Sequence, residues 1–170
     1  AALFIRLADY REVGGLDGHF FAHMEEIDLC WRLRSRGKKL VCIPQSVVYH
    51  VGGATLKKEN PRKTFLNFRN NLLMLYKNLP DKELEHVLFI RGILDRVAAL
   101  VFYLKKDRAI ARAVMRARRE FEDIRYSFAA SRIENMMKST DEIIPERTHF
   151  SIVMKYYLLG KKHFSQLKLF

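Results

Sequence analysis

Phe20–Thr55 reads FFAHMEEIDLCWRLRSRGKKLVCIPQSVVYHVGGAT, and this stretch decides how the chain is understood. Glu25, Glu26 and Asp28 gather at the start of an amphipathic segment running to Arg36, where the positive end of a helix dipole favours ionised carboxylates. Carboxylates held in that form can act as bases. Gly37 ends the helix. Leu40 to Ile43 then reads as a short buried strand stopped by Pro44, and Val47 to Tyr49 as a second apolar strand delivering His50 just before Gly52 and Gly53. A histidine at a strand exit suits a metal or a phosphate.

Upstream, AALFIR at 1–6 reads as a strand that starts without a cap or a preceding turn, so its pairing partner is expected to precede residue 1. Leu7 to Val13 is helix-like, Gly14 and Gly15 stop it, and Leu16 to Met24 is a loop carrying Phe20 and Phe21. The first third is therefore expected to be an α/β fragment with a few short strands. From Asn60-Pro61, a capping residue followed by proline at the first helical position, the apolar period becomes helical and stays so. Phe65, Phe68, Leu72, Leu75, Tyr76 and Leu79 line one predicted helix ending before Pro80. A second presents Leu84, Val87, Leu88, Leu94, Ala98, Val101 and Phe102, and a third spans roughly 109–128. A larger all-helical region thus follows the α/β piece, and the chain is helix-dominated.

Of 170 residues, 49% are hydrophobic, enough to bury a core and to exclude a disordered chain. The 31 Lys/Arg and 19 Asp/Glu are unevenly spread: up to Leu56 there are 7 basic and 6 acidic residues, and beyond it 24 and 13. The first part is nearly neutral and the second carries +11. A basic surface attracts nucleic acid, anionic lipid and sugar nucleotides alike, so charge alone names no partner. Cys30 and Cys42 read as buried thiols in a reducing, intracellular compartment. The most apolar stretch, Val87 to Leu104, is interrupted by Arg91, Asp95 and Arg96, which argues against a spanning helix. The tail from Thr148 sets Phe150, Val153, Met154, Tyr157, Leu158, Phe164 and Leu167 among lysines, the pattern of a helix lying on a membrane surface.

Gly14–Thr55, GGLDGHFFAHMEEIDLCWRLRSRGKKLVCIPQSVVYHVGGAT, resembles the acceptor-side half of family 2 inverting glycosyltransferases of the GT-A fold, especially bacterial cell-surface polysaccharide and rhamnosyltransferase-like members. That family's pattern is Gly-Gly-Phe-Asp, two aromatics, Glu-Asp-x-Asp-Leu-x-x-Arg, a glycine, an apolar strand near a proline, and a strand ending in histidine. KTFLNFRNNLLMLYKNLP at 63–80 is similar to the helix that commonly follows. The resemblance implies two regions: an acceptor-side part of a GT-A catalytic domain over 1–56, and a basic helical C-terminal region over 57–170. It also implies a nucleotide-sugar donor, a cell-surface glycan or lipid-linked acceptor, and transfer with inversion.

Under that resemblance Glu26 stands where the family has the aspartate that deprotonates the acceptor hydroxyl, with Glu25 and Asp28 as neighbours able to share the role. Without it, the three carboxylates read first as an acidic helix start facing solvent. His50 matches a histidine that completes coordination of a divalent metal, Mn²⁺ or Mg²⁺, in some relatives. Arg69 is similar to the arginine of a recurrent Arg-Asn pair and can meet a diphosphate through its planar fork, or can be an ordinary exposed helix arginine. Asp17, Phe20 and Phe21 are candidates for the acceptor pocket, although turn chemistry explains Asp17 as well. Trp31 and Arg32 lie one turn further on. The metal-holding Asp-x-Asp of the family is absent from this chain, and its nucleotide-binding half would precede residue 1. The resemblance therefore implies that this polypeptide alone is inactive, with the metal bound only in the full-length enzyme.

The helical region would then hold the enzyme at the inner face of the cell membrane, as a cytoplasmic, peripheral protein. Two other readings stand beside it. A nucleic-acid-binding module is suggested by RAVMRARREF at 112–121, but it leaves the first third unexplained. A homodimer through Phe65, Phe68, Leu72 and Leu75 is compatible with the enzyme reading.

Overall fold

The structure, a computed structural model, describes residues 2–49, 60–140, 144, 147–148, 150 and 152–167. Its helices are α1 (Leu7–Glu12), α2 (Glu25–Ser35), α3 (Pro61–Asn78), α4 (Asp81–Leu104), α5 (Arg108–Ile124), α6 (Ala129–Met137) and α7 (Ile152–Tyr157). Asn60 caps α3 as its sequence indicates, its side chain accepting from the Arg62 N–H at 2.8 Å, with Pro61 at the first position. Asp107 caps α5, accepting from Ile110 N–H at 3.3 Å.

Helix α3 is the centre, packed by α5 along most of its length and by α2, α6 and α4 around it. The core gathers Phe20, Leu72, Leu73, Met74, Tyr76, Leu79, Leu84, Leu88, Phe121 and Phe128. Because α3 is surrounded, it also buries Asn70, Lys77 and Asn78, which no apolar period marks. On the face proposed above for a homodimer, Leu72 is fully buried and Phe65, Phe68 and Leu75 are half-buried. Trp31 likewise packs against the core.

The inner face of α4 is Leu84, Leu88, Gly92, Asp95 and Ala99, rotated from the predicted stripe. The charged Asp95 points inward because α5 supplies its partner: Arg118 lies at 3.0 Å and Arg91 at 2.9 Å. Gly92 gives the Arg96 and Arg118 guanidinium groups room, since a Cβ there would meet them at 3.1 and 3.3 Å. The aliphatics Ile93, Val97, Leu100 and Leu104 are left facing outward.

Strands are expected over 1–6, 40–43 and 47–49; among the described residues none belongs to a strand. A strand needs a neighbour to take its backbone N–H and C=O groups, and the described residues supply none. Phe4, Val41, Ile43, Val47 and Tyr49 are exposed. Cys42 is exposed too, and Cys30 only half-buried, against the expectation of two buried thiols. Helix α6 was not marked in the sequence. In the tail, α7 and residues 158–159 expose most of their apolar side chains. Among the described residues no helix is long and apolar enough to cross a membrane.

Leu72 has no exposed surface, so Leu72→Ala is expected to lower stability by about 3 kcal/mol through lost burial and the cavity left behind. Urea unfolding followed by circular dichroism measures it; a loss below about 1 kcal/mol would contradict this packing.

Candidate active site at the start of helix α2

The three carboxylates of α2 have different fates. Asp28 is fully buried and saturated: Arg32 Nε and Nη2 donate to its Oδ2 at 2.9 and 2.7 Å, Lys77 Nζ lies 3.2 Å from the same oxygen, and Asn78 Nδ2 donates to Oδ1 at 2.8 Å. It is not available to deprotonate a substrate. Glu25 is half-buried, with one carboxylate oxygen shielded from solvent and without a hydrogen-bond partner among the described residues. Glu26 is exposed on the first turn, and no described residue pairs with it. Burial, with the Glu26 charge as a second cause, pushes the neighbouring Cys30 thiol up, which keeps it un-ionised and unreactive.

Arg32 is a structural residue rather than a substrate contact. Besides Asp28 it donates to the carbonyl oxygens of Val13 and Gly15, the latter at 2.7 Å, and so ties α2 to the Gly14-Gly15 turn. Gly15 needs to be glycine: its φ is +67°, and a Cβ would sit 2.8 Å from the Tyr10 ring. Lys77 is also buried and bridges Asp28 to Asp17, where its Nζ lies 2.7 Å from Oδ2. Asp17 accepts from the His19 backbone N–H at 3.0 Å, and His19 Nδ1 lies 2.7 Å away. Burial alone would raise the Asp17 carboxyl; the hydrogen bonds from Lys77 and His19, with the lysine charge, outweigh it and hold the group at about 2. Asp17 therefore belongs to this buried ion network.

The loop between Asp17 and α2 is strained. Phe21, His23 and Met24 all have positive φ, 62°, 71° and 74°, which side chains with a Cβ rarely adopt. The fully buried Asn70 holds them there: its Nδ2 is 2.8, 2.8 and 2.9 Å from the carbonyl oxygens of Phe20, Ala22 and His23. Arg69 fixes that amide by donating to Asn70 Oδ1 at 2.9 Å, and also binds Glu120 at 2.8 Å and the His19 carbonyl at 3.1 Å. The Arg-Asn pair singled out in the sequence is thus a clamp on the loop, and Arg69 is not free to hold a diphosphate. Phe20 is buried in the core beneath this loop, with Lys77 over its ring at 5.0 Å. Phe21 is exposed beside it. Asn70, Lys77 and Asn78 were missed by sequence reasoning; their only signal was a polar residue at helical positions that neighbouring apolar residues bury.

His50 lies outside the described residues. Among the described residues no three His, Cys, Asp or Glu side chains come together to hold a metal.

Two predictions separate these roles. Asp28→Asn strands Arg32 and Lys77 in the interior and is expected to cost about 3 kcal/mol or more, whereas Glu26→Gln should change stability by less than about 0.5 kcal/mol. Equal effects in a denaturant titration would contradict the assignment. Asp17, with its folded pKa below the ordinary 3.8, adds stability that is complete above that value and is lost as pH falls towards about 2. Asp17→Asn is expected to lower stability at neutral pH by about 1–2 kcal/mol and to flatten the acid loss between about pH 4 and about pH 2, read from acid titrations.

No protein-family model matches the chain, and no solved structure does. The chain is 32% identical to the pre-mycofactocin glycosyltransferase of Mycobacterium tuberculosis, in strains CDC 1551 and H37Rv alike, in a match that takes in 73% of this chain and 28% of that protein. The chain thus spans little more than a quarter of the length of the curated relatives it matches. Over most of its own length it is similar to part of a glycosyltransferase.

Proposed function

We propose that this chain is part of a glycosyltransferase that moves a sugar from a nucleotide-sugar donor to a cell-surface glycan or lipid-linked acceptor with inversion. Its first third would be the acceptor-side piece of a family 2, GT-A catalytic domain. The similarity to a glycosyltransferase supports glycosyl transfer in general, and the Gly14–Thr55 motif supports the finer family. The observation that carries the site assignment is the division of labour in α2: Asp28 is locked into the interior, and Glu26 two residues earlier is exposed and unpaired among the described residues.

An acceptor hydroxyl attacking an anomeric carbon must lose its proton as the new bond forms. In this proposal Glu26 accepts that proton, with Glu25 beside it. Placement of the carboxylate rests on the strained loop, held by Asn70, and on the ion network that anchors α2. Phe21, exposed at the loop tip, would contact the acceptor. The donor diphosphate and the divalent ion would be held by parts of the protein outside the described residues. The protein would work in the cytoplasm, peripheral on the inner face of the membrane.

The test uses the full-length protein, with a panel of UDP-, GDP- and dTDP-sugars and Mn²⁺. Glu26→Gln is expected to reduce kcat by 10²–10⁴-fold, the usual contribution of a general base, with unchanged stability. Turnover within about threefold of the parent would remove Glu26 from the mechanism, and no transfer from any donor would count against the transferase reading.

A further inference from the structure

A second feature lies beside the acidic loop and is not explained by the transfer chemistry. Helix α5 forms the floor of a groove of about 1470 Å³ whose walls are the first half of α3 and the last turns of α4, with His19 and Phe21 at one end. Besides Arg69, five arginines line it: Arg62 from α3, and Arg108, Arg112, Arg116 and Arg119 from α5. None of the five forms an ion pair with a described carboxylate. The buried and half-buried Arg32, Arg69, Arg91, Arg118, Arg132 and Arg147 differ in this: each has an acidic partner. Glu120, the acidic residue lining the groove, is already taken by Arg69.

Like charges collected without counter-ions repel one another and lower stability, so their concentration in one concavity calls for an anion. The guanidinium groups are also positioned in advance. Arg62 lies over the Phe21 ring at 5.1 Å, Arg116 over Phe65 at 4.9 Å and Arg108 over Tyr103 at 5.6 Å. Stacking of this kind orients the planar fork without neutralising it, leaving its N–H donors for a ligand. Much of the remaining lining, including Ala99, Leu100 and Ala113, is apolar and strengthens the local field.

We infer that the α3–α4–α5 groove is a binding site for a phosphate-bearing ligand, a diphosphate or phosphate ester gripped by Arg112, Arg116 and their neighbours. Two sources can supply that chemistry, a soluble phosphate ester or the headgroup of an anionic lipid. The exposed apolar side chains of Leu100 and Tyr103 continue from the groove wall onto the outer face of α4, where a lipid chain would find apolar surface. The inference stands on the groove alone and does not depend on Glu26 or on transfer.

The experiment titrates the 170-residue chain with inorganic pyrophosphate in a calorimeter at low salt. Arg112→Ala/Arg116→Ala removes two exposed side chains and should leave the circular dichroism spectrum unchanged; Arg112→Gln/Arg119→Gln repeats the test with a different pair. Binding is expected in the parent and to weaken by about tenfold or more in both pairs, while Arg11→Ala/Lys161→Ala, with the same charge loss elsewhere, keeps the parent affinity. Flotation with phosphatidylglycerol vesicles, against phosphatidylcholine alone, separates the sources. Flotation that pyrophosphate competes away and the arginine pairs abolish identifies a lipid headgroup, and pyrophosphate binding without flotation identifies a soluble ester. Equal weakening in the control pair, or no binding of either probe by the parent, overturns the proposal.

Discussion

The buried carboxylate of Asp28 is the constraint on which the rest of the structure turns. A charge with no access to water must be met by cations and donors in fixed positions. Here they come from two helices: Arg32 on α2, and Lys77 and Asn78 on α3. Each partner then carries the constraint outward. Arg32 reaches the Gly14-Gly15 turn, Lys77 reaches Asp17, and Asn78 is met by Asn135 of α6 at 3.2 Å. Four segments distant in sequence are thereby placed around one oxygen pair. Such a network specifies geometry more than it adds net stability, because the desolvation cost of its ions offsets much of their attraction.

This arrangement explains why the acidic motif at the start of α2 is not three equivalent carboxylates. Helix geometry puts Asp28 on the inner side with Arg32 one turn later, and leaves Glu26 on the outer side. The sequence showed the cluster but not the split. Position along a helix is legible from spacing, whereas which face is covered depends on what packs there. Leu29 and Leu33 mark the buried side of α2, and reading Asp28 against them would have put it inward.

Other parts were legible for local reasons. The Asn60-Pro61 start of α3 and the Pro80 break after it follow from capping and from proline's missing N–H, and the structure has both. The failures are all non-local. The strands over 1–6, 40–43 and 47–49 had the right residues, but pairing is a property of two segments, and no second segment lies beside them among the described residues. On α4 the inward-facing Asp95 was read as an interruption because its partner, Arg118, is on another helix. On α3 the Arg-Asn pair looked like a ligand contact because arginine is well suited to phosphate; the carbonyls it serves instead are some fifty residues away.

That separation also bears on how the molecule assembles. The backbone of Phe21, His23 and Met24 has no local reason to adopt its shape, and the single amide that holds it arrives only when α3 has docked beside α2. The turn in front of Glu26 is therefore a product of the completed tertiary structure and not a seed for it. It should be the part that forms late in folding and opens first in the native state, at a free-energy cost well below that of unfolding the bundle. A loop built in this way can rearrange while α3, α5 and the ion network beneath it stay in place.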